Sequence, residues 1–276
     1  MPSKTESIQP GPLVRALIII LVKAQNQKYL QRVWKLLPGL TSVYNLYIKV
    51  KPFDNMAEAY AMQFVAQRTS IPVPKIHYAF IHKGETYIVM NRIEGQMVWH
   101  RWHSRSEESK QRIREQLRAM VADLRSIPPP AGTGVASMNG GPFCDCRRPS
   151  KLLWGPYPTT RAFHEALANN ANIDVEYENL PLEVSELFHF YQKSSNKLVF
   201  SHNDLSSLNI LTRGDRVVGI VDWETAGWFP PYWEYTCAKY VNPKNDFWAE
   251  EVDHFITPLP YELKMESIRR EYFGSY

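Results

Sequence analysis

FSHNDLSSLNILTRGDRVVGIVDWETAG, residues 200–227, carries His202, Asp204 and Asn209 in an H-x-D-x-x-x-x-N array. An apolar run over 217–221 then delivers Asp222. Residues 209–211 and 217–221 are predicted as two short strands joined by a Gly214-Asp215 turn. Such a hairpin sets Asn209 and Asp222 side by side at its open end. Phosphoryl transfer from ATP needs a carboxylate beside the attacking hydroxyl and oxygen ligands for magnesium on the phosphates. Asp204 can supply the first, and Asn209 and Asp222 the second.

These residues resemble the catalytic loop and metal-binding segment of the aminoglycoside phosphotransferase-like family, a branch of the protein-kinase-like fold. VDWETAG at 221–227 is similar to the version in the fungal group called phosphotransferase enzyme family proteins. That group has Asp-Trp-Glu where protein kinases have Asp-Phe-Gly. The resemblance implies an α+β, kinase-like, two-lobed fold. A small N-terminal β-sheet lobe is expected over residues 1–93 and a larger, mainly helical lobe over 94–276, together one domain. It also implies magnesium- and ATP-dependent phosphorylation of a hydroxyl on a small molecule. Acceptors in the family range from antibiotics to choline-like, sugar and secondary-metabolite alcohols.

Several residues take roles from the resemblance. Lys49, on a predicted strand, and Glu58, on the following helix, match the pair that fixes the ATP phosphates; a held ammonium offsets phosphate charge. The bland alternatives are a solvated Lys49 or Lys51, and Glu58 as partner of an Asn55 helix cap. Asp204 is the expected general base, or the group that orients the acceptor. His202 is expected to buttress the loop. Asn209 and Asp222 are the expected magnesium ligands, against a reading as hairpin-end caps. Residues 87–93 resemble the segment entering the hinge, with Met90 and Ile93 as adenine contacts or simply strand core. Glu224 lies two residues past Asp222 and shares its face in an extended chain. It is a candidate substrate contact, as is Trp228 in the aromatic run that follows. The same aromatics could equally pack the second lobe.

One departure from the family pattern keeps a second function open. Between Leu36 and Lys49 there is only Pro38-Gly39, with no G-x-G-x-x-G loop. A catalytically degenerate kinase-like protein that binds a nucleotide or metabolite is the alternative. A kinase for protein substrates is disfavoured, because no Asp-Phe-Gly and no activation segment ending in Ala-Pro-Glu follows Asp222.

Composition agrees with a globular chain. The 276 residues are 44% hydrophobic and 22% charged, enough for a sizeable core. The formal charge of +4 without a long basic run gives no case for nucleic acid. Cys144, Cys146 and Cys237 form no disulfide framework and no paired metal motif, which fits a reducing, cytoplasmic setting. Residues 16–22, ALIIILV, are too short to span a membrane and are expected as a buried helix of the first lobe. Residues 1–11 are expected as a loose tail, and the molecule as a monomer or weak dimer. Helices are predicted over 12–30, 55–67, 106–127, 159–169 and 183–193. Strands are predicted over 43–50, 76–81 and 86–93, a hinge at Glu94-Gly95, and a long Gly- and Pro-rich loop over 128–158.

Overall fold

The computed structural model describes residues 8–26, 45–145, 153–175, 177–240 and 246–274. Its first lobe is an antiparallel sheet in the order β1 (Leu46–Lys51), β3 (Glu85–Asn91), β2 (Ile76–His82). β2 and β3 are joined at Lys83-Gly84, where both residues have positive φ. The central strand β3 reads TYIVM because both faces are covered. Ile88 and Met90 join the core of helix α2 (Ala57–Arg68), whereas Tyr87 and Val89 meet helix α1 (Pro12–Asn26).

Helix α1 departs from the sequence expectation in its burial. Ile18 is buried against Phe80, Tyr87 and Val89, but Leu13, Leu17 and Ile20 are 82%, 60% and 61% exposed. A sheet covers only one stripe of a helix laid upon it, so an apolar run this continuous leaves its far side uncovered among the described residues. Ile8 also departs from the expected loose tail: it is buried, and its carbonyl accepts the Ala79 N–H at 2.8 Å. The expected helical residues 27–30, the Pro38-Gly39 segment, residues 43 and 44, and Cys146 lie outside the described residues.

Helix α2 begins where the Asn55 side chain accepts the Ala57 N–H at 2.8 Å. It ends at Thr69, after which Pro72 and Pro74 enforce an extended path. That path reaches the second lobe, where the Pro72 carbonyl accepts the Ile220 N–H at 2.8 Å. The chain itself crosses at residues 92–95 into a sheet of order β10 (Arg216–Ile220), β9 (Ile210–Arg213), β4 (Gln96–Met97). Two glycines permit this crossing. A Cβ on Gly95 would lie 2.8 Å from Val218 Cγ2, and one on Gly219 would lie 2.6 Å from Ile93 Cδ1.

Helix α3 (Glu107–Ser126) starts at the Ser106 cap and stops before Pro128-Pro129-Pro130. It buries Ile113, Leu117, Val121 and Leu124 along one face. A third sheet has the order β5 (Ala136–Ser137), β11 (Gly227–Phe229), β8 (Val199–Ser201). The region expected as a long loop holds β5 and the pair β6 (Phe143–Cys144) and β7 (Leu153–Trp154). Helices α4 (Thr160–Leu167), α5 (Leu182–Lys193), α6 (Trp233–Tyr240), α7 (Asp246–Val252) and α8 (Pro260–Phe273) complete the lobe. Its core is aromatic: Phe143, Phe163, Phe229 and Trp233 meet largely edge to face, with Phe163 and Trp233 centroids 4.8 Å apart. No helix among the described residues is long and apolar enough to cross a membrane.

Candidate active site

The β9–β10 hairpin does what its sequence promises. Strand pairing runs from Arg213 and Arg216 to Ile210 and Ile220, and the Val221 N–H then reaches the Asn209 carbonyl at 2.9 Å. Asn209 and Asp222 therefore flank one end of the ladder. Asp222 sits at φ +64°, in the left-handed region that Asp tolerates better than most residues. The turn interrupts the extended path, so Asp222 leads directly into a 3-10 turn at Trp223–Thr225. The Asn209 amide nitrogen donates to the Asp204 carbonyl at 3.0 Å, which makes its amide oxygen the atom available as a ligand.

The catalytic-type loop after β8 is held from three sides. The buried Glu234 carboxylate on α6 accepts the His202 N–H at 2.6 Å and the Asn203 N–H at 2.9 Å. Thr225 Oγ1 donates to the His202 carbonyl at 2.7 Å, and Asn203 Nδ2 donates to the Thr225 carbonyl at 3.0 Å. His202 Nδ1 accepts the Asp204 N–H at 3.1 Å, so Nε2 carries the proton toward the Val221 carbonyl at 3.0 Å. His202 thus ties Asp204 to the segment that carries Asp222. Burial pushes its pKa down to about 4, so it stays neutral and structural at neutral pH.

Asp204 is tuned differently. Burial first, and then the nearby Asp222 charge, push its carboxyl up to about 7. Hydrogen bonds from the Asn209 and Ser206 side chains act the other way, while its Oδ1 is buried with no hydrogen-bond partner among the described residues.

Opposite stands Lys49 on β1. Its ammonium lies 2.8 Å from Glu58 Oε1 and 2.6 Å from Asp222 Oδ1. Burial alone would lower its pKa; the charges of Glu58 and Asp222 outweigh this and hold it well above the ordinary lysine value. The cleft between the lobes has a volume of about 450 Å³ and is lined by Lys49, Glu58, Met90, Ile93, Asn209 and Asp222 among others. Six of the residues singled out in the sequence thereby meet at one cavity. Tyr47, Met62, Pro74, Met97, Leu208 and Leu211 add an apolar lining.

Glu224 lies beside this group, with Oε2 3.1 Å from Lys51 Nζ and 3.9 Å from Lys49 Nζ. Trp228 is different. It is 1% exposed, packed against Phe200 and Phe64 with centroids 5.1 and 6.0 Å away, and Phe229, Tyr232 and Trp233 are buried as well. One side of Trp228 borders a second cavity of about 670 Å³ formed with residues 130–134, 138–140 and 156–158.

The profile of the phosphotransferase enzyme family matches residues 49–260, most of this chain and all of the cleft's catalytic-type groups. The chain belongs to this family. An aminoglycoside 3'-phosphotransferase from Niallia circulans is 27% identical over 157 residues, 57% of this chain and 53% of that protein. The matched region thus spans about half the length of that curated relative. In three dimensions the chain is similar to a thermostable mutant of aminoglycoside phosphotransferase APH(4)-Ia in its apo form, with a TM-score of 0.56 at 16% identity, covering 83% of this chain and 80% of that one. It is similar to the ternary complex of another mutant of that enzyme with ADP and hygromycin B, with a TM-score of 0.51 at 16% identity over 83% of this chain and 79% of that one. The shared fold is the kinase-like α+β architecture.

Two residues of this phosphotransferase-family site escaped the sequence reasoning. Glu234 is one; its signal is a carboxylate set between two aromatics, Trp233 and Tyr235. Lys51 is the other. Its sequence position reads as a solvated lysine on the face of Lys49, yet its side chain is 5% exposed.

Proposed function

We propose that the protein transfers the γ-phosphoryl group of ATP to a hydroxyl of a small molecule, with magnesium as the metal. The observation that carries this is the arrangement around Asp204: a carboxylate that burial and then the Asp222 charge push up to about 7, in a loop whose backbone carbonyl accepts the Asn209 amide. A degenerate binder has no need of a base tuned this way, so that alternative is not favoured. Residues 1–93 would supply the nucleotide clamp and residues 94–276 the base and metal ligands.

The donor set suits magnesium, a hard cation that prefers oxygen and keeps part of its water shell: the Asp222 carboxylate and the Asn209 amide oxygen. When bound with the nucleotide, magnesium would offset phosphate charge and draw electron density from the transferring group. Lys49, held by Glu58, meets the same phosphates as a fixed ammonium. Met90 and Ile93 offer apolar surface for the adenine ring. Asp204 accepts the acceptor's proton while the new O–P bond forms and the bond to ADP breaks. His202 contributes by holding the loop in register. Glu224 is the candidate substrate contact, at 29% side-chain exposure; Trp228 offers the acceptor one edge at most. The ADP and hygromycin B held by APH(4)-Ia support a nucleotide and a hydroxylated small molecule as the two substrates.

Calorimetry with a non-hydrolysable ATP analogue, with and without magnesium, tests the first half. Binding should depend on magnesium in the wild type and lose that dependence in Asp222→Ala. ATP turnover against a panel of alcohols tests the second. Asp204→Asn should lower kcat by roughly 10²-fold or more and leave nucleotide affinity unchanged. Undiminished turnover in Asp204→Asn would remove the base from the mechanism.

A further inference from the structure

We propose that Lys51 is a positioning residue that holds Glu224 off the divalent cation of the cleft, leaving Asp222 and Asn209 as the groups that face the metal. The inference rests on Asp222 being a metal ligand, as proposed above. Lys51 follows Lys49 by two residues on β1 and therefore shares its face. Its ammonium lies 3.2 Å from Glu58 Oε2 and 3.1 Å from Glu224 Oε2, and 4.7 Å from the centre of the Phe53 ring. Glu58 is thus shared, with Oε1 on Lys49 and Oε2 on Lys51. The Lys51 contact is an ion pair without the alignment of a hydrogen bond.

Two ammonium groups therefore stand among three carboxylates. One oxygen from each of Glu58, Asp222 and Glu224 falls within 4.8 Å of the others, close enough for one cation to touch all three. The two lysines differ in what else they can reach. Lys49 lines the cleft, so a nucleotide phosphate competes with Asp222 for it and frees Asp222. Lys51, at 5% side-chain exposure, does not line the cleft, and its charge lies against Glu58, Glu224 and the Phe53 ring. A buried ammonium persists only when paired, so Lys51 stays on Glu58 and Glu224 whatever fills the cleft. Glu224 remains neutralised beside Asp222, and the metal meets a restricted set of ligands.

The test is manganese binding to nucleotide-free protein, followed by the paramagnetic resonance of the free ion. Lys51→Met keeps the apolar stem and removes the charge. It should bind manganese at least ~10-fold more tightly than wild type, the scale of one partly screened ion pair. Lys51→Arg should match wild type, and Lys51→Met combined with Glu224→Gln should return to it. If Lys51 only stabilises the fold, Lys51→Met will melt earlier with manganese affinity unchanged. That result overturns the proposal, as does a gain that survives Glu224→Gln. Should the Met variant not fold, Lys51→Gln carries the same comparison. Magnesium-dependent binding of the ATP analogue to wild type reads the kinase assignment separately, so the two failures are distinguishable.

Discussion

Glu234 offers the sharpest test of how the loop is held. It is 2% exposed, and its two oxygens each accept one backbone N–H, from His202 and from Asn203. Glu234→Ala orphans both donors in a site closed to water. An unsatisfied buried donor costs about 1–3 kcal/mol, so the pair amounts to about 2–6 kcal/mol. That is a large part of a typical stability of about 5–15 kcal/mol. Glu234→Gln has one acceptor oxygen and sets an NH₂ against the other N–H, giving about 1–3 kcal/mol. It also strips a negative charge that supports Arg125, whose pKa burial pulls down. For a chain of this size each kcal/mol moves the melting temperature by about 2–4 °C, so Glu234→Gln should melt roughly 2–12 °C early. Activity should fall further than stability does, because His202 positions Asp204 through the same loop. Thermal unfolding and kcat measured well below the melting temperature would separate the two effects. A Glu234→Ala protein with wild-type melting and wild-type kcat would show that these bonds do not hold the loop.

Three further outcomes are expected. The acceptor kcat/KM should drop about tenfold per pH unit below about pH 7, because Asp204, raised by burial and then by Asp222, takes up its proton there and ceases to be a base. Stability should run the other way: between the ordinary carboxylate range and about 7 the folded state holds this proton and the unfolded state does not, so Asp204 weakens the fold as pH rises through that window. Asp204→Asn should flatten that slope in a pH series of unfolding measurements, and an unchanged slope would reassign the titration. Trp228→Ala should cost about 3–5 kcal/mol of stability, as a buried aromatic deletion does, with acceptor KM little changed. A several-fold rise in KM at unchanged melting temperature would instead place Trp228 at the acceptor.

The sequence determined the local pieces and their order. The H-x-D-x-x-x-x-N array, the apolar strand before Asp222 and the turn between them lie within some twenty residues, where period and turn chemistry act directly. Helix α3 was legible for the same reason: its cap, its apolar stripe and its proline stop are all local. The family resemblance implies the pairing of Lys49 with Glu58, which the fold places at one cleft. What only the tertiary structure decided are contacts between distant parts of the chain. Lys49 meets Asp222 across 173 positions, and His202 meets Glu234 across 32. The exposed side of α1 and the burial of Trp228 are of this kind too, because a helix or strand pattern reports how apolar a face is and not what covers it. Lys51 shows the limit most clearly. Its alternation with Val50 gave its face, but a solvated lysine and a buried counter-ion have the same letter and the same period. The difference is made by Glu58 and Glu224, which the fold carries to within ion-pair distance from two other elements.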